Sequence, residues 1–458
     1  MSGPGVVVVL RAWIRNFRET HFFRLKLAVT AAKRRRMTRT RFIAITGSST
    51  KSTTSAILRR IVSGRHTVAF NEFSNGISSI ARTIRKAPQD VDFVVLEVAA
   101  GQGTSVERGA QLSRPHVAIV TMIDLEHYSA FRTREAVAHE KGHLVAALPA
   151  DGIAFLNADD AYVMSMAART SARVVSFGLG EGADYRATNV EFDMQRGLRM
   201  SIIGPTRSLD VSAPLFGKHF YLPVLASVAC ALELGIPDDE IVAAVASYQG
   251  MINRCGVLPV DKGPVFVCDT QKAPYHSVTL PIDALAGTDA PRKTVVIGQI
   301  SDFPGNAQRK YTEAISFAAS IADRVYAVGP NAHKGKARFE REGVEFARFD
   351  SLEALAAHLR ETAIEGEIIL LKSAQNLHLE RLAISFLAPV RCWSELCGQS
   401  GSCFGCRMHG IPRSEQPMKR GARHRLRARL DDGKAVWREG SLFARYMAMS
   451  ADRRPPKL

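Results

Sequence analysis

Apolar, β-branched runs alternate with segments of helical periodicity through most of this 458-residue chain. The predicted strands are 42–46, 92–98, 116–121, 152–156, 265–269, 294–297, 324–328 and 368–372. Among the first four of these strands, the stretches 53–62 and 133–148 have apolar residues at the spacing of helices. Because strands that alternate with helices are typical of βαβ units, we predict an α/β fold with mostly parallel sheets.

Gly, Pro and Asn cluster at 248–263, between the two series of strands, and we place a domain boundary near 250–258. A chain of this length exceeds what one hydrophobic core supports. We predict four parts. Residues 1–40 form a basic amphipathic segment and 41–250 a P-loop domain. Residues 251–390 form a Rossmann-like α/β domain, and 391–458 contain a Cys cluster and a basic tail.

The net charge of +17 lies almost entirely at the two ends of the chain. Residues 1–40 carry ten Lys or Arg against one Glu, and residues 407–458 carry fourteen against five acids. The body between them is therefore close to neutral, and the arginine-rich stretch 420–429 of the tail contains no Phe, Tyr or Trp. A nucleic-acid-binding ATPase is an alternative that this distribution disfavours, and we expect no nucleic-acid partner.

The N-terminal segment has an amphipathic helical pattern, formed by Leu10, Trp13, Ile14 and Phe17 with arginines between them. We interpret the basic run 33–36 as a charged linker after this helix. Such a helix either lies on an anionic membrane surface or packs on its own domain, and the second is the favoured alternative. No stretch has the ~20 apolar residues of a membrane span, so we predict a cytoplasmic protein.

A loop rich in small polar residues joins the strand 42–46 to the following helix. It reads Thr46, Gly47, Ser48, Ser49, Thr50, Lys51, Ser52 and Thr53. Such a loop aims backbone N–H groups at phosphates, with Lys51 reaching the terminal phosphates and Ser52 reaching Mg²⁺. An ordinary strand-to-helix turn is the alternative. Thr50 stands where the P-loop pattern has Gly, and its Cβ narrows the approach of backbone to phosphate.

Further chemical groups follow the P-loop in a definite order. Glu97 ends the strand 93–97, His127 follows a strand in the run 124–127, and Lys141 comes fourteen residues after His127. Asn157 then follows the strand 152–156 directly. From about residue 41 to about residue 387, these ordered motifs resemble the Mur ligase family.

The resemblance implies an ATP-dependent ligase that forms an amide bond. A substrate carboxylate would attack the γ-phosphate to give an acyl phosphate, and an amine would displace the phosphate. By resemblance, the catalytic residues would be Lys51, Glu97, His127 and Lys141. Ser52, Glu97 and His127 would hold Mg²⁺, and Lys141 would be carbamoylated or, unmodified, contact phosphate. Asn157 would lie near the adenine, although its sequence context also suits a turn.

The second half of the chain matches the family less closely. By resemblance, Arg254 and Asp269 contact the nucleotide, and Lys272 and Lys372 face the substrate. The family pattern departs at three positions, Asn253, Lys272 and Ser373. Together with Thr50, these changes support an alternative, a nucleotide-binding but inactive partner of a cell-wall or polymer-synthesis complex.

Substrates are implied only in outline: ATP, a carboxylate of a cell-wall precursor or related polymer, and an amino acid or peptide amine. Only about forty residues precede the P-loop, which we expect to be too few for the UDP-sugar domain of related ligases.

Four cysteines fall within fifteen residues: Cys392, Cys397, Cys403 and Cys406. Four thiolates suffice for a tetrahedral Zn²⁺, and a Cys-rich module in a reduced compartment favours metal over disulfides. We therefore predict a structural zinc site here. Free thiols or a redox pair are the alternatives, because only one pair has the CxxC spacing.

Overall fold

The computed structural model describes residues 21–416, except 72–74, 102–104, 127, 129, 337, 338, 340, 395, 396, 398–400 and 407. The predictions for the amphipathic positions before residue 21, for His127 and for the basic tail after residue 416 lie outside this description. The described residues form two compact units. Unit 1 takes them from 1–188, 202–209 and 222–245, and unit 2 from 189–201, 210–221 and 246–458.

The first half of the chain alternates helices and strands as predicted. Its elements are α1 (helical at 21–36), β1 (Arg41–Thr46), α2 (Lys51–Val62), β2 (Val68–Phe70), α3 (Ile77–Lys86), β3 (Phe93–Glu97), α4 (Ser105–Ser113), β4 (Val117–Val120), α5 (Arg134–Ala146), β5 (Ile153–Asn157), α6 (Ala161–Met164), β6 (Arg173–Gly178), β7 (Tyr185–Asp193), β8 (Gly197–Ile203), β9 (Ser208–Ala213), α7 (Tyr221–Glu233) and α8 (Asp238–Ala246).

The second half continues the alternation. Its elements are β10 (Gly256–Pro259), β11 (Val265–Asp269), α9 (Thr279–Ala286), β12 (Lys293–Ile297), α10 (Ala307–Ala319), β13 (Arg324–Val328), β14 (Glu345–Phe349), α11 (Leu352–Thr362), β15 (Ile368–Lys372), α12 (Arg381–Leu387) and α13 (Cys403–Cys406).

The larger sheet has the strand order β2-β3-β1-β4-β5-β6-β7-β8-β9. Its pairs from β2 through β7 are parallel, and every residue of β3 and β4 is buried. Burial on both faces explains why these strands are continuous apolar runs without alternation. The carboxyl ends of β1, β3, β4 and β5 share one edge, where ligands of open α/β sheets bind.

The smaller sheet, in unit 2, has the order β10-β11-β15-β12-β13-β14. Only β10 runs antiparallel, and all the other pairs are parallel. The register pairs Asp269 of β11 with Lys372 of β15, at the carboxyl ends of both strands. The α/β fold class with mostly parallel sheets is therefore confirmed, although the strands within 173–213 were not predicted.

The interpretation of the run 33–36 as a linker is wrong, because these residues complete α1. Lys33 Nζ donates to the Arg85 and Ala87 carbonyls, where α3 ends. Arg34 donates to the carbonyl of Ser113, the last residue of α4, and its guanidinium lies 3.9 Å from the centre of the Phe42 ring. Helix carboxyl ends carry unpaired carbonyls and partial negative charge, so these cations pack where a solvated linker was expected.

Burial also changes the pKa of one arginine in this helix. It lowers the pKa of the Arg34 guanidinium to about 10, and the neighbouring Arg114 adds to the shift. In the part of the chain that the structure describes, no helix combines the length and the apolar character needed to cross a bilayer.

Candidate functional site

The loop between β1 and α2 is tightly built around Gly47. Gly47 has φ +143°, and a Cβ there would lie 2.0 Å from Thr121 Oγ1, so only glycine fits. The turn into α2 is made by Thr50, whose φ of 62° and ψ of −7° are left-handed. A β-branched residue is a genuine outlier in this conformation. The loop thus keeps a glycine-type backbone at the position where the sequence has threonine.

Two lysines share one carboxylate beneath this loop. The Nζ of the fully buried Lys141 donates to the Gly47 carbonyl at 3.0 Å and pairs with Glu126 Oε1. Lys51 Nζ also donates to that carbonyl and lies 3.8 Å from Glu126 Oε2. A phosphate placed here would therefore meet two ammonium groups that a single carboxylate only partly neutralises.

Burial dominates the ionisation of the deeper lysine. Desolvation lowers the pKa of Lys141 from 10.5 to about 8, because a buried ammonium loses its hydration, and the attraction of Glu126 only partly opposes this. The Glu140 carboxylate beside it accepts a hydrogen bond from the Val106 backbone at 2.9 Å. Lys141 is thus a cation that gives up its proton unusually easily.

A hydroxyl and a carboxylate meet next to the lysines. Ser52 Oγ donates to Glu97 Oε2 at 2.8 Å, and Glu97 is 3% exposed. The Asn71 side chain fixes the Glu97 backbone through both its groups, accepting from N–H at 2.7 Å and donating to C=O at 3.0 Å. Carboxylate and hydroxyl oxygens are the ligands that Mg²⁺ prefers, so Ser52 and Glu97 suit a hard cation.

Asn157 supports the same edge of the sheet. Its side-chain amide donates to the Thr121 carbonyl at 2.8 Å, and its oxygen accepts from the Asp159 N–H at 3.0 Å. These bonds form the turn that the sequence also allowed, and the adenine role stays a prediction. His127 lies outside the described residues, between Glu126 and Tyr128. Its metal role therefore also stays a prediction.

In unit 2, the predicted residues meet at the carboxyl ends of β11 and β15. Lys372 Nζ pairs with Asp269 Oδ2 at 2.5 Å and donates to the Lys272 carbonyl at 3.1 Å. The Lys272 side chain itself is exposed, and Arg254 is half-buried in the turn that bridges Met251. The structure thus brings Asp269, Lys272 and Lys372 together through one ammonium group.

A half-buried histidine close to this pair, His219, was missed in the sequence. His219 Nε2 lies 3.8 Å from the Cys255 sulfur, and burial lowers the pKa of the imidazole to about 4. The negative charge of Asp269 raises that pKa and the positive charge of Lys372 lowers it, so His219 interacts electrostatically with both members of the pair. The sequence signal was a His after the left-handed Gly217, at the start of an apolar helix.

Two of the unusual residues in unit 2 fit their surroundings. The Asn253 side-chain oxygen accepts a hydrogen bond from the Thr270 hydroxyl at 3.3 Å. Ser373 Oγ accepts from the Gln299 N–H at 3.0 Å, beside Gly298. A Cβ at Gly298 would lie 2.5 Å from the serine oxygen, so a glycine opposite compensates for the extra side chain.

The four cysteines of the predicted zinc site do not all converge. Cys397 Sγ lies 3.1 Å from His378 Nε2, and ligand atoms of His378, Glu380 and Cys403 lie within 4.8 Å of one another. Cys392 is buried, and its main-chain N–H and carbonyl form hydrogen bonds with His409 and Arg381. Cys406 is the last residue of α13. The sequence analysis missed His378 and Glu380, and it also missed Glu126.

The described site and fold have counterparts among known proteins. Residues 45–231 match the Mur ligase middle domain family. The UDP-N-acetylmuramoyl-tripeptide–D-alanyl-D-alanine ligase of Escherichia coli is 26% identical over 367 residues, covering 78% of this chain and 79% of that protein. The enzyme of the same name from Treponema pallidum is 28% identical and covers 74% of this chain and 73% of its own length.

Solved structures show the same fold. MurF from Acinetobacter baumannii is similar with a TM-score of 0.70 at 23% identity, covering 79% of each chain. The MurF ligase of Thermotoga maritima, solved in complex with ADP, has a TM-score of 0.70 at 20% identity over 79% of this chain and 83% of its own. The protein is an ATP-dependent ligase that joins a carboxylate to an amine. Its resemblance to the Mur ligase family is confirmed, and it carries a Mur ligase middle domain.

Proposed function

We propose that this ligase activates a carboxylate of a cell-wall precursor or related polymer as an acyl phosphate and couples it to an amino acid or peptide. A carboxylate oxygen bonds to the γ-phosphorus of ATP, and ADP leaves. The amine nitrogen then bonds to the acyl carbon, phosphate leaves, and the nitrogen releases a proton. This chemistry needs little covalent help from the protein and much stabilisation of charge on phosphoryl oxygens.

One observation carries the proposal: Lys51 and Lys141 both donate to the Gly47 carbonyl and both pair with Glu126. We assign the loop 46–53 to the ATP phosphates and Lys51 to the transferred phosphoryl group. Ser52 and Glu97, held 2.8 Å apart, would hold Mg²⁺ together with His127. Bound there, Mg²⁺ would neutralise phosphate charge, while the lysines orient the phosphates.

Lys141 has two states within this proposal. As an ammonium it pairs with Glu126 and contacts phosphate. With a pKa of about 8 it is neutral in a sizeable fraction of molecules near that pH, and a neutral amine can add CO₂ with loss of a proton. The resulting carbamate would lie beside the Glu126 carboxylate, so it needs a cation between them. Metal binding therefore favours the carbamate, and the metal-free site favours the ammonium.

For the second half of the reaction, we assign Asp269 and Arg254 to the nucleotide, and Lys272 and Lys372 to the substrate. We take 41–250 and 251–390 as the two catalytic domains of the ligase. The neutral imidazole of His219, which has a pKa of about 4, can accept a hydrogen bond from a substrate group at physiological pH.

Two finer features of the protein stay predictions. One is a cytoplasmic location. The other is a peripheral membrane contact through the N-terminal segment, in which α1 exposes Phe22, Leu25 and Val29. Lys33 and Arg34, by contrast, are engaged within unit 1.

The proposal is tested by phosphate release from ATP and Mg²⁺ with the full-length protein. Each assay pairs one acceptor, from a panel of muramoyl peptides with and without UDP, with one amine, from amino acids and dipeptides including D-alanyl-D-alanine. We expect release that requires both an acceptor and an amine, with an amide product of matching mass. Lys51→Ala serves as the inactive control.

The alternative function gives a different result. An inactive partner subunit would bind ATP, measured by calorimetry, yet release no phosphate with any pair. That outcome would overturn the ligase reaction while leaving the nucleotide site in place. Release without dependence on an amine would indicate an ATPase and would also contradict the proposal.

A further inference from the structure

A largely buried cluster of metal-ligand side chains follows β15 and includes none of the residues assigned to the reaction. We name it the His378 cluster, and it consists of His378, Glu380, Cys397 and Cys403. Ligand atoms of His378, Glu380 and Cys403 lie within 4.8 Å of one another, and Cys397 Sγ lies 3.1 Å from His378 Nε2. We propose that the His378 cluster binds a structural Zn²⁺ ion.

The spacing of these atoms suits a tetrahedral ion. Zinc bonds of ~2.0–2.3 Å at tetrahedral angles separate neighbouring ligand atoms by roughly 3.3–3.8 Å. Glu380 Oε1 lies 3.7 Å from His378 Nδ1, whereas Cys397 Sγ lies 3.1 Å from Nε2. Because an imidazole binds an ion through one nitrogen, the His378 ring or the Cys397 side chain must turn for all four residues to reach the same ion. One imidazole nitrogen, two sulfurs and one carboxylate oxygen complete a four-coordinate set that Zn²⁺ accepts and Mg²⁺ does not.

Glu380 supplies the second observation. Its side chain is fully buried, and Oε1 accepts hydrogen bonds from the Cys403 N–H at 2.8 Å and the Ser402 hydroxyl at 3.3 Å. Oε2 accepts no hydrogen bond from any residue that the structure describes. A buried carboxylate oxygen without a partner is costly, and coordination to a cation would offset that cost.

This donor set differs from the four cysteines that sequence spacing suggested. Cys392 uses its main chain here, since its N–H donates to the His409 carbonyl and its carbonyl accepts from Arg381. The proposal therefore replaces Cys392 and Cys406 with His378 and Glu380. The exchange makes Cys392 a natural control position.

The site would fasten the chain beyond α12 to the end of β15. His378 follows the short helix Gln375–Leu377, which itself follows Lys372 and Ser373. Cys397 and Cys403 lie in the described parts of the segment after α12. A zinc ion shared by these positions would hold that segment and the loop after Lys372 in one arrangement.

The experiment uses full-length protein expressed with added zinc and purified without chelators or metal-affinity resin. Metal content is measured by plasma mass spectrometry for the wild type and for Cys403→Ser, Cys397→Ser and Cys392→Ser. We expect one zinc per wild-type chain, retained in Cys392→Ser. The two ligand variants should lose zinc affinity by at least about tenfold, the lower end for disturbed zinc sites.

A second measurement requires no variant and so survives a folding failure. Zinc in the wild type is exchanged for Co²⁺, and the thiolate-to-cobalt absorption is compared with that of a four-thiolate standard. Two thiolate ligands should give about half the intensity of four. Intensity equal to the standard, or zinc loss from Cys392→Ser, would overturn this donor set in favour of four cysteines. A wild type that binds neither metal, or that contains a Cys397–Cys403 disulfide, would overturn the site itself.

Discussion

The carboxyl edges of the two sheets hold their lysines in different ways. In unit 1, Lys51 and Lys141 share Glu126 and the Gly47 carbonyl. In unit 2, Lys372 Nζ pairs with the Asp269 carboxylate at 2.5 Å. The first edge keeps positive charge that phosphate oxygens can use. The second is a neutral pair, and a substrate must compete with Asp269 to reach the lysine.

The departures from the family pattern differ between the two edges as well. The Asn253 and Ser373 side chains both accept hydrogen bonds, and Gly298 makes room for Ser373. Thr50 instead holds a left-handed backbone, and its buried hydroxyl has no hydrogen-bond partner among the described residues. Unit 2 has adapted to its substitutions, whereas the loop of unit 1 still has the conformation of a glycine.

The sharpest test of the charge difference removes Lys51. Lys51→Ala should lower amine-dependent phosphate release by roughly 10²–10³-fold or more, the scale of losing one preorganised charge contact to the transition state. The fold should remain intact, because Lys51 forms the first turn of α2 and alanine favours helices. Steady-state phosphate release and far-UV circular dichroism measure the two effects.

Lys86→Ala is the matched control for this change. Lys86 is exposed in the last turn of α3, within the same unit and outside the P-loop, so its loss should leave turnover unchanged. Turnover by Lys51→Ala equal to that of Lys86→Ala would refute the phosphate-binding role of the loop.

Breaking the Asp269–Lys372 pair of unit 2 should lower the free energy of unfolding. Asp269→Asn removes the negative charge beside Lys372, which is 1% exposed, and leaves its ammonium with neutral oxygens such as the Lys272 carbonyl. Breaking a buried pair costs about 3–5 kcal/mol, and the 14% exposure of Asp269 places this case at about 2–4 kcal/mol. Hydrogen exchange at the β11 and β15 amides measures the loss. The double variant Asp269→Asn/Lys372→Met should recover most of it; no recovery would mean that the aspartate acts through another partner.

The sequence predicted most of the fold because buried parallel strands are continuous apolar runs, as in β3 and β4. Residue order also pointed to Ser52, Glu97 and Lys141, which the structure places at one sheet edge. Three features could not be predicted. Glu126 bridges the lysines only through tertiary packing.

The other two are of the same kind. The run containing Arg34 has the composition of a solvated linker, and only the carboxyl end of α4 shows why it is buried. His378 and Glu380 lie too far along the chain from Cys397 and Cys403 for any spacing pattern to connect them.

The ionisation of Lys141 should make the stability of unit 1 depend on pH. Its pKa is about 8 in the folded protein and ordinarily 10.5, so between these values the unfolded chain binds more protons. The free energy of unfolding should therefore rise with pH across this window, by about 1–3 kcal/mol from this residue. Urea denaturation at pH 7.5 to 10.5 measures the slope, compared with Lys141→Met, which lacks the group. Parallel slopes for the two proteins would show that Lys141 titrates normally.

Thr50→Gly should produce the smallest effect, and it tests whether the unit 1 loop is strained. The left-handed threonine costs about 1–3 kcal/mol, while glycine costs about 0.5–1 kcal/mol in lost chain freedom, so a net gain of about 1 kcal/mol is expected. The Thr50 carbonyl accepts from the Thr54 N–H at 2.9 Å, and glycine keeps that bond. Removing the Cβ also opens the backbone to phosphate, so ATP should bind several-fold more tightly in calorimetry.

The control for this effect is Lys262→Gly. Lys262 is also left-handed, with φ 50°, but lies in an exposed turn of unit 2. It should bring a similar gain in stability without any change in ATP affinity, because no phosphate site is expected at that turn. If both variants tightened ATP binding equally, the gain would reflect general stabilisation. If Thr50→Gly weakened binding, the threonine hydroxyl would itself contact the nucleotide, and the left-handed backbone would be maintained for that contact.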